Sequence, residues 1–296
     1  MTAGDANRII TVDAPAKVNL FLHITGKRTD GYHLLESLAV FTESGDRVSV
    51  QPSDKISLSI SGPFSNDLAA NDPDNLVLRA ANLLARTFDR RDGVEIHLEK
   101  NLPVSSGIGG GSTDAAATLR ALVKIWNLDT DAIRLAEIGL SLGADVPVCL
   151  YGDTALMSGI GETVEPVCRL PHCALVLVNA GGSVPTPQVF AQWAGDFSPS
   201  RSWRGTRSYN EFVAALAARR NDLSDAAISV APSIGEALDC LGKSAGCDLA
   251  RLSGSGGTCF GIYRDMAAAR SAAAELSERN PDWWVVATEV RDAKVP

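Results

Sequence analysis

The segment Pro103-Val104-Ser105-Ser106-Gly107-Ile108-Gly109-Gly110-Gly111-Ser112-Thr113-Asp114-Ala115-Ala116 decides how this chain is read. Before it, Val94, Ile96 and Leu98 alternate with polar residues, the pattern of a half-buried strand. After it, Ala116, Leu119, Leu122, Val123 and Trp126 recur at helical spacing and predict a helix from about Thr113 to Trp126. Between them stand glycines at 107, 109, 110 and 111. Glycine reaches left-handed backbone and leaves no Cβ in the way of a ligand. Successive backbone N–H groups can then face one concavity. The following helix adds its free N–H groups and the positive end of its dipole. The expectation is a phosphate cradle. A P-loop would need Gly-Lys-Ser/Thr here, and a dinucleotide fingerprint would need glycine in place of Ser112. A simple glycine turn is the bland alternative; the strand–loop–helix setting, the flanking serines and Asp114 weigh against it.

Two further stretches contain groups that could do chemistry. Residues 9–24 read as extended, with Val18, Leu20, Leu22 and Ile24 on one face and Lys17, Asn19, Phe21 and His23 on the other. A cation and an amide thus lie side by side. An isolated strand lysine usually faces solvent, but apolar neighbours surround Lys17 in Ala14-Pro15-Ala16-Lys17-Val18-Asn19-Leu20 and favour a placed ammonium. The second stretch is Gly143-Ala144-Asp145-Val146-Pro147, just past a helix predicted over Asp131–Leu142. Pro147 is expected to hold Val146 extended. Asp145 is then a short carboxylate on a constrained turn, suited to accept a proton from an alcohol; a turn aspartate bonding its own backbone is the alternative.

The rest predicts a mixed α and β chain. Strands are expected over Leu38–Val50, Lys55–Ser61, 174–179, 258–263 and 284–290. Helices are expected from Asp72 to about Ala85 and near 208–220, 232–242 and 265–279. Asp30-Gly31 signals a turn, and Gly181–Pro187 a loop. With 296 residues, against roughly 100–200 per domain, two domains are expected, 1–165 and 166–296.

Together these pieces resemble the kinase superfamily of galactokinase, homoserine kinase, mevalonate kinase and phosphomevalonate kinase (GHMP). Its three motifs stand here in order: Ala14–Asn19, Pro103–Thr113, and the glycine-rich turn Ser253-Gly254-Ser255-Gly256-Gly257-Thr258. Within that superfamily, Lys17–Leu20, Asp30-Gly31-Tyr32-His33, Gly107–Asp114, Gly143–Pro147 and Gly152–Glu162 resemble the branch that acts on 4-diphosphocytidyl-2-C-methyl-D-erythritol. Ile108 and Thr113 depart mildly from the usual leucine and serine, which a backbone cradle should tolerate.

The resemblance implies an α+β fold, with an N-terminal domain like the second domain of ribosomal protein S5 and a ferredoxin-like C-terminal domain, substrates meeting in the cleft. It implies Lys17 and Asp145 as the catalytic pair. Pro103, Val104, Ser105, Ser106, Gly107, Ile108, Gly109, Gly110, Gly111, Ser112 and Thr113 would wrap the phosphates of ATP, with Asn75 and Leu76 near the adenine. Tyr32, His33, Thr186 and Phe190 would line the pocket for the cytidine diphosphate substrate, and Asn19 would touch it near the reacting hydroxyl. An aromatic face stacks on a base and an imidazole can bond its edge. Mg²⁺ is expected with ATP; the motifs assign it no protein ligand.

Composition narrows the alternatives. A net charge of -8 argues against general nucleic-acid binding, which needs a basic surface, but not against a local anion pocket. None of the six cysteines forms C-x-x-C, so free thiols in a reducing, cytoplasmic setting are expected. His97-Leu98-Glu99 lacks the downstream P-C-x-x-C of a zinc deaminase. No apolar run is long enough to span a membrane, and the N-terminus has no signal-peptide pattern. The rival expectations are a sibling kinase acting on another alcohol and a non-catalytic nucleotide-binding or RNA-binding module.

Overall fold

The computed structural model describes residues 8–167, 170–182, 184–200, 203, 205–206 and 208–291. Its chain divides into two compact units that interleave in sequence. One comprises the described residues up to Ala16, with Gly45–Val104 and Gly109–Gly152; the other comprises Lys17–Ser44, Ser105–Ile108 and the chain from Asp153 onward.

The first unit holds the start of β1 (Ile10–Lys27), the end of β2 (His33–Ser53), β3 (Ser57–Ser61), α1 (Leu76–Thr87), β4 (Gly93–Glu99), α2 (Gly110–Ile125), α3 (Ala132–Leu140) and α4 (Val146–Tyr151). β4 pairs antiparallel with β2 over Arg47–Ser53 and parallel with β3. As the alternation predicts, Val94, Ile96 and Leu98 are buried while Glu95 and His97 are exposed. α1 packs on α2, and α4 packs on both α2 and α3.

Several boundaries differ from expectation. α1 opens at Leu76 rather than Asp72. The Asp72 carboxylate accepts from Asp74 N at 2.9 Å in a turn of its own, and Asn75 caps the helix by accepting from Val77 N at 3.0 Å. α2 opens at Gly110, three residues early, because Gly109 takes the left-handed conformation at its N-cap. α3 stops at Leu140, two residues before the expected end. Val146, expected extended, is the first residue of α4. Proline in a first helical turn lacks only an N–H that would have no acceptor, so Pro147 is tolerated there.

The second unit contains the remainder of β1 and the start of β2, which pairs antiparallel with β5 (Ala155–Gly159); β5 in turn pairs with β6 (Thr163–Pro166). Then follow β7 (Ala174–Asn179), α5 (Thr186–Gln192), α6 (Tyr209–Ala217), α7 (Ser224–Val230), α8 (Ser233–Lys243), β8 (Leu249–Leu252), β9 (Thr258–Tyr263), α9 (Met266–Arg279) and β10 (Trp284–Glu289). The sheet order is β10-β7-β9-β8 with every pair antiparallel, and one helix, α9, connects β9 to β10. A β-α-β-β-α-β path with this order is the ferredoxin-like topology expected. Val176, Val178, Ile234, Leu241, Leu252, Tyr263, Ala269 and Leu276 form its core.

α4, α5, α7, β5, β6 and β8 were not expected, and α5 takes Thr186 and Pro187 from the end of the expected loop. α7 has seven residues and no side-chain cap, and β8 has four residues including a charge. That charge, Arg251, is buried. Its guanidinium donates to the carbonyls of Leu20 at 2.7 Å, Leu216 at 2.9 Å and Arg219 at 2.7 Å, tying the end of α6 to β1. The five described cysteines are free thiols; Cys168 lies outside the described residues. Burial pushes Cys173 and Cys259 up to about 12, away from thiolate chemistry. Among the described residues, no helix is long and apolar enough to cross a membrane.

Candidate active site

The glycine-rich segment is a string of conformations that few side chains allow. Gly107 has φ +74, Gly109 φ +67 and Ser105, a non-glycine, φ +53. In the first unit, Gly110, Gly111 and Ser112 are the opening turn of α2, and the first backbone bond of the helix is Thr113 N to Gly109 O at 2.8 Å. The amides of Gly110, Gly111 and Ser112 therefore start the helix without an intrahelical acceptor, as an anion site requires. The Thr113 hydroxyl donates back to the Gly110 carbonyl at 2.9 Å and lies 3.2 Å from that of Gly109, pinning the turn. Leu76 reaches the same turn: a Cβ on Gly111 would lie 3.2 Å from its Cδ1. The expected adenine residues Asn75 and Leu76 are thus at one helix N-terminus beside the other.

Beneath this turn lies a buried charge cluster of which the sequence singled out only Asp114. Lys100 Nζ donates to Asp46 Oδ2 at 2.5 Å and to Asp114 Oδ2 at 2.8 Å, all three side chains being almost fully enclosed. Asp46 Oδ1 also accepts from the backbone of Asn101 at 2.6 Å and Leu102 at 2.8 Å. The ammonium sits directly under Gly110, where a Cβ would be 3.1 Å from Nζ. Asp114 Oδ1 is buried without a hydrogen-bond partner.

Asp145 stands at the N-cap of α4, and its side chain does not cap the helix. Arg120 of α2 donates to the carbonyl of Leu150 in α4, so the element that presents Asp145 is bonded to the glycine-loop helix.

In the second unit the three motifs named above are joined by hydrogen bonds. Lys17 and Asn19 are buried, unlike the solvent face that strand alternation alone would give. Lys17 Nζ donates to Asn19 Oδ1 at 2.9 Å. Asn19 Nδ2 donates to Ser37 Oγ at 2.6 Å, which donates to Phe21 O at 2.6 Å. Lys17 N donates to Ile108 O at 2.9 Å. Asn19 N donates to Ser253 Oγ at 3.1 Å, and Ser253 Oγ donates to Gly107 O at 2.9 Å. Thr258 N completes the junction on Ser106 O at 2.9 Å. At Gly107 a Cβ would meet the carbonyl oxygens of Gly256 at 2.5 Å and Ser253 at 2.6 Å, so a side chain is excluded by space as well as by φ.

The expected substrate residues also lie in this unit. The His33 ring stacks on Phe190 with centroids 5.1 Å apart, and Trp193 meets His33 edge-on at 5.4 Å. Tyr32 is 62% exposed beside them in sequence, its ring open to a ligand. Thr186 Oγ1 lies 2.8 Å from Ser255 Oγ, joining the start of α5 to the C-terminal glycine turn. Burial, and then the Lys27 charge, hold His33 below the usual histidine range, so it is neutral near pH 7. Lys17, Asn19, Ser105–Ile108, Tyr32, His33, Thr186 and Phe190 fall in one unit; Asn75, Leu76, Gly109–Thr113 and Asp145 fall in the other. Sequence reading missed Ser37, Ser253, Trp193, Asp46 and Lys100. Only Ser253 had a signal, its place in the third glycine motif.

Family models for the GHMP kinase N-terminal domain and the GHMP kinase C-terminal domain match residues 75–153 and 207–282, together more than half of the chain. The chain belongs to the GHMP kinase family. It is 46% identical over 281 residues to the 4-diphosphocytidyl-2-C-methyl-D-erythritol kinase of Paramagnetospirillum magneticum, covering 95% of this chain and 98% of the relative. To the protein of the same name from Cereibacter sphaeroides it is 49% identical over 275 residues, covering 92% and 96%. A crystal structure of 4-(cytidine 5'-diphospho)-2C-methyl-D-erythritol kinase superposes with a TM-score of 0.77 at 33% identity, covering 95% of this GHMP kinase and all of that chain.

Proposed function

We propose that this GHMP kinase transfers the γ-phosphoryl group of ATP to the 2-hydroxyl of 4-diphosphocytidyl-2-C-methyl-D-erythritol, a step of non-mevalonate isoprenoid synthesis. Near-full-length identity to relatives of that name carries the reading. The Lys17–Asn19–Ser253–Gly107 hydrogen-bond network supports it, because it fixes the one buried lysine of the first motif against the phosphate loop.

In the proposed reaction Asp145 takes the proton of the substrate hydroxyl as its oxygen bonds to the γ-phosphorus. The bond from that phosphorus to the β,γ-bridging oxygen breaks, and ADP leaves with its electron pair. Lys17, oriented by Asn19, stabilises charge on the transferred group. Backbone amides of Pro103–Thr113 hold the triphosphate, with Asn75 and Leu76 at the adenine. Tyr32 and Phe190 offer ring faces to the cytosine, neutral His33 bonds its edge, and Thr186 and Asn19 complete the substrate contacts. The catalytic, ATP-binding side is assigned to residues 1–165, which also lend Asn19, Tyr32 and His33 to the substrate, and the rest of the substrate side to 166–296, although the two compact units interleave across that boundary. Mg²⁺ is taken as part of the co-substrate. Among the described residues no group of three or more His, Cys, Asp or Glu could hold a metal, and Mg²⁺ is commonly held through substrate phosphates. A cytoplasmic setting is supported by the free thiols.

The test is ADP release by the purified protein with Mg-ATP and each candidate alcohol. Turnover with the cytidine diphosphate substrate, inhibited by CDP in competition with it, is the expected result. Turnover only with homoserine or a mevalonate derivative would transfer the assignment to a sibling kinase, and nucleotide binding without turnover would make the chain a binding module.

A further inference from the structure

The Asp46–Lys100–Asp114 cluster has no part in the chemistry above, yet it underlies the turn that is to hold phosphate. We propose that these three side chains are positioning residues for nucleotide binding, and that the proton count of the cluster is linked to phosphate occupancy of the first turn of α2. The proposal rests on the nucleotide reading of that turn.

The geometry argues for more than packing. Lys100 Nζ lies 3.1 Å from where a Cβ on Gly110 would stand, and Asp114 is the fifth residue of the helix whose first three amides face the ligand. Two carboxylates around one ammonium leave a net negative charge when both are ionised, and an uncompensated buried charge is strongly disfavoured. Asp114 Oδ1, enclosed and without a partner, is the atom least able to hold that charge. Burial pushes the Asp114 carboxyl up to about 8; Lys100 works against the shift, while the charge of Asp46 and the hydrogen bond to it add to it. Burial opposes the Lys100 ammonium too, but its two carboxylate partners outweigh this and raise it, so the ammonium is retained. The proton that varies near neutrality is therefore the one on Asp114. A neutral cluster leaves the positive helix end unopposed, whereas a negative one repels the phosphates. Phosphate binding and protonation of Asp114 must then favour each other, by reciprocal linkage.

The experiment is calorimetric titration of the whole protein with Mg-ADP between pH 7 and pH 9, in buffers of different ionisation enthalpy. Wild type should take up a fraction of a proton per ADP near pH 8, and its Kd should weaken by up to about tenfold across the range. In Asp114→Asn that uptake should vanish and the Kd should lose this slope; proton exchange from the nucleotide itself is common to both proteins. A merely structural role would change Kd by the same factor at every pH. Asp46→Asn gives a second reading, since removing its charge should move the inflection to lower pH, and it serves where Asp114→Asn fails to fold. ADP binding with no uptake in wild type, or with the same uptake in wild type and variant, overturns the inference and leaves the kinase reading intact. Absence of ADP binding by wild type overturns both.

Discussion

The backbone N–H of Asn19 donates to the hydroxyl of Ser253, 234 positions away, at 3.1 Å. The same hydroxyl donates to the carbonyl of Gly107. One buried side chain thus sets β1, which carries Lys17, against the glycine loop. Ser253→Ala leaves a buried donor and a buried acceptor unpaired, each costing about 1–3 kcal/mol. The expected outcome is a lower Tm together with a kcat reduced by at least about tenfold. A variant of unchanged kcat would show that the junction does not position the lysine.

Asp145→Asn keeps size and shape but cannot take a proton. Turnover should fall by at least about a hundredfold while nucleotide affinity stays close to wild type. Steady-state kinetics with an ADP-binding titration check both halves; comparable turnover in the variant removes Asp145 from the role of base.

Tyr32 presents an exposed ring beside a neutral His33. Tyr32→Ala should weaken substrate binding by the loss of one stacking face, about 1–3 kcal/mol, and leave ATP binding unchanged. The substrate KM of wild type should also rise as pH falls below the ordinary histidine value of 6.5, because His33 is held below it and protonates late. His33→Gln should remove that acid limb. A reversed pattern, with ATP binding weakened and substrate binding kept, would mean that the two pockets are exchanged.

Gly107→Ala asks a side chain to accept φ +74 and to approach two carbonyl oxygens. Left-handed backbone alone costs about 1–2 kcal/mol in a non-glycine residue. The stability loss should therefore be about 2 kcal/mol or more by denaturant titration, with nucleotide affinity reduced alongside. A neutral substitution would show that the junction has room to relax.

The buried carboxyl of Asp114 also links folding to pH. Its folded value of about 8 lies above the ordinary 3.8, so between these values the unfolded chain has already lost the proton that the folded chain retains. This contribution to stability is full below pH 3.8 and declines as pH rises to about 8. Asp114→Asn should remove that decline, seen as a flatter plot of unfolding free energy against pH. An identical slope in the variant would place the titrating group elsewhere.

Local patterns made much of this legible. The alternation in β4, the apolar run of β7 and the glycines at 107–111 reflect near-neighbour geometry, and the fold kept them. Where local signals competed, boundaries moved. Asp72 made its own turn and left the cap to Asn75, and left-handed Gly109 started α2 early. Pro147 fitted a first helical turn, with Val146 helical rather than extended. The strand period placed Lys17 and Asn19 on one face but gave no sign that the face is buried, because burial depends on what packs there.

By itself the sequence determined the strand, glycine turn and helix of the phosphate loop, the pairing of Lys17 with Asn19, and membership of the kinase family through three spaced motifs. All of these rest on contacts between residues close in the chain, or on residue types that only one backbone shape tolerates. Only the tertiary structure decided that Asn19, Ser253 and Gly107 share one hydroxyl, that Trp193 stands against His33, and that Asp46 and Asp114 flank Lys100 under Gly110. Those partners are far apart in sequence or lie on separate elements. The energy that selects them comes from satisfying buried polar groups once the chain has collapsed, a condition that no local pattern encodes.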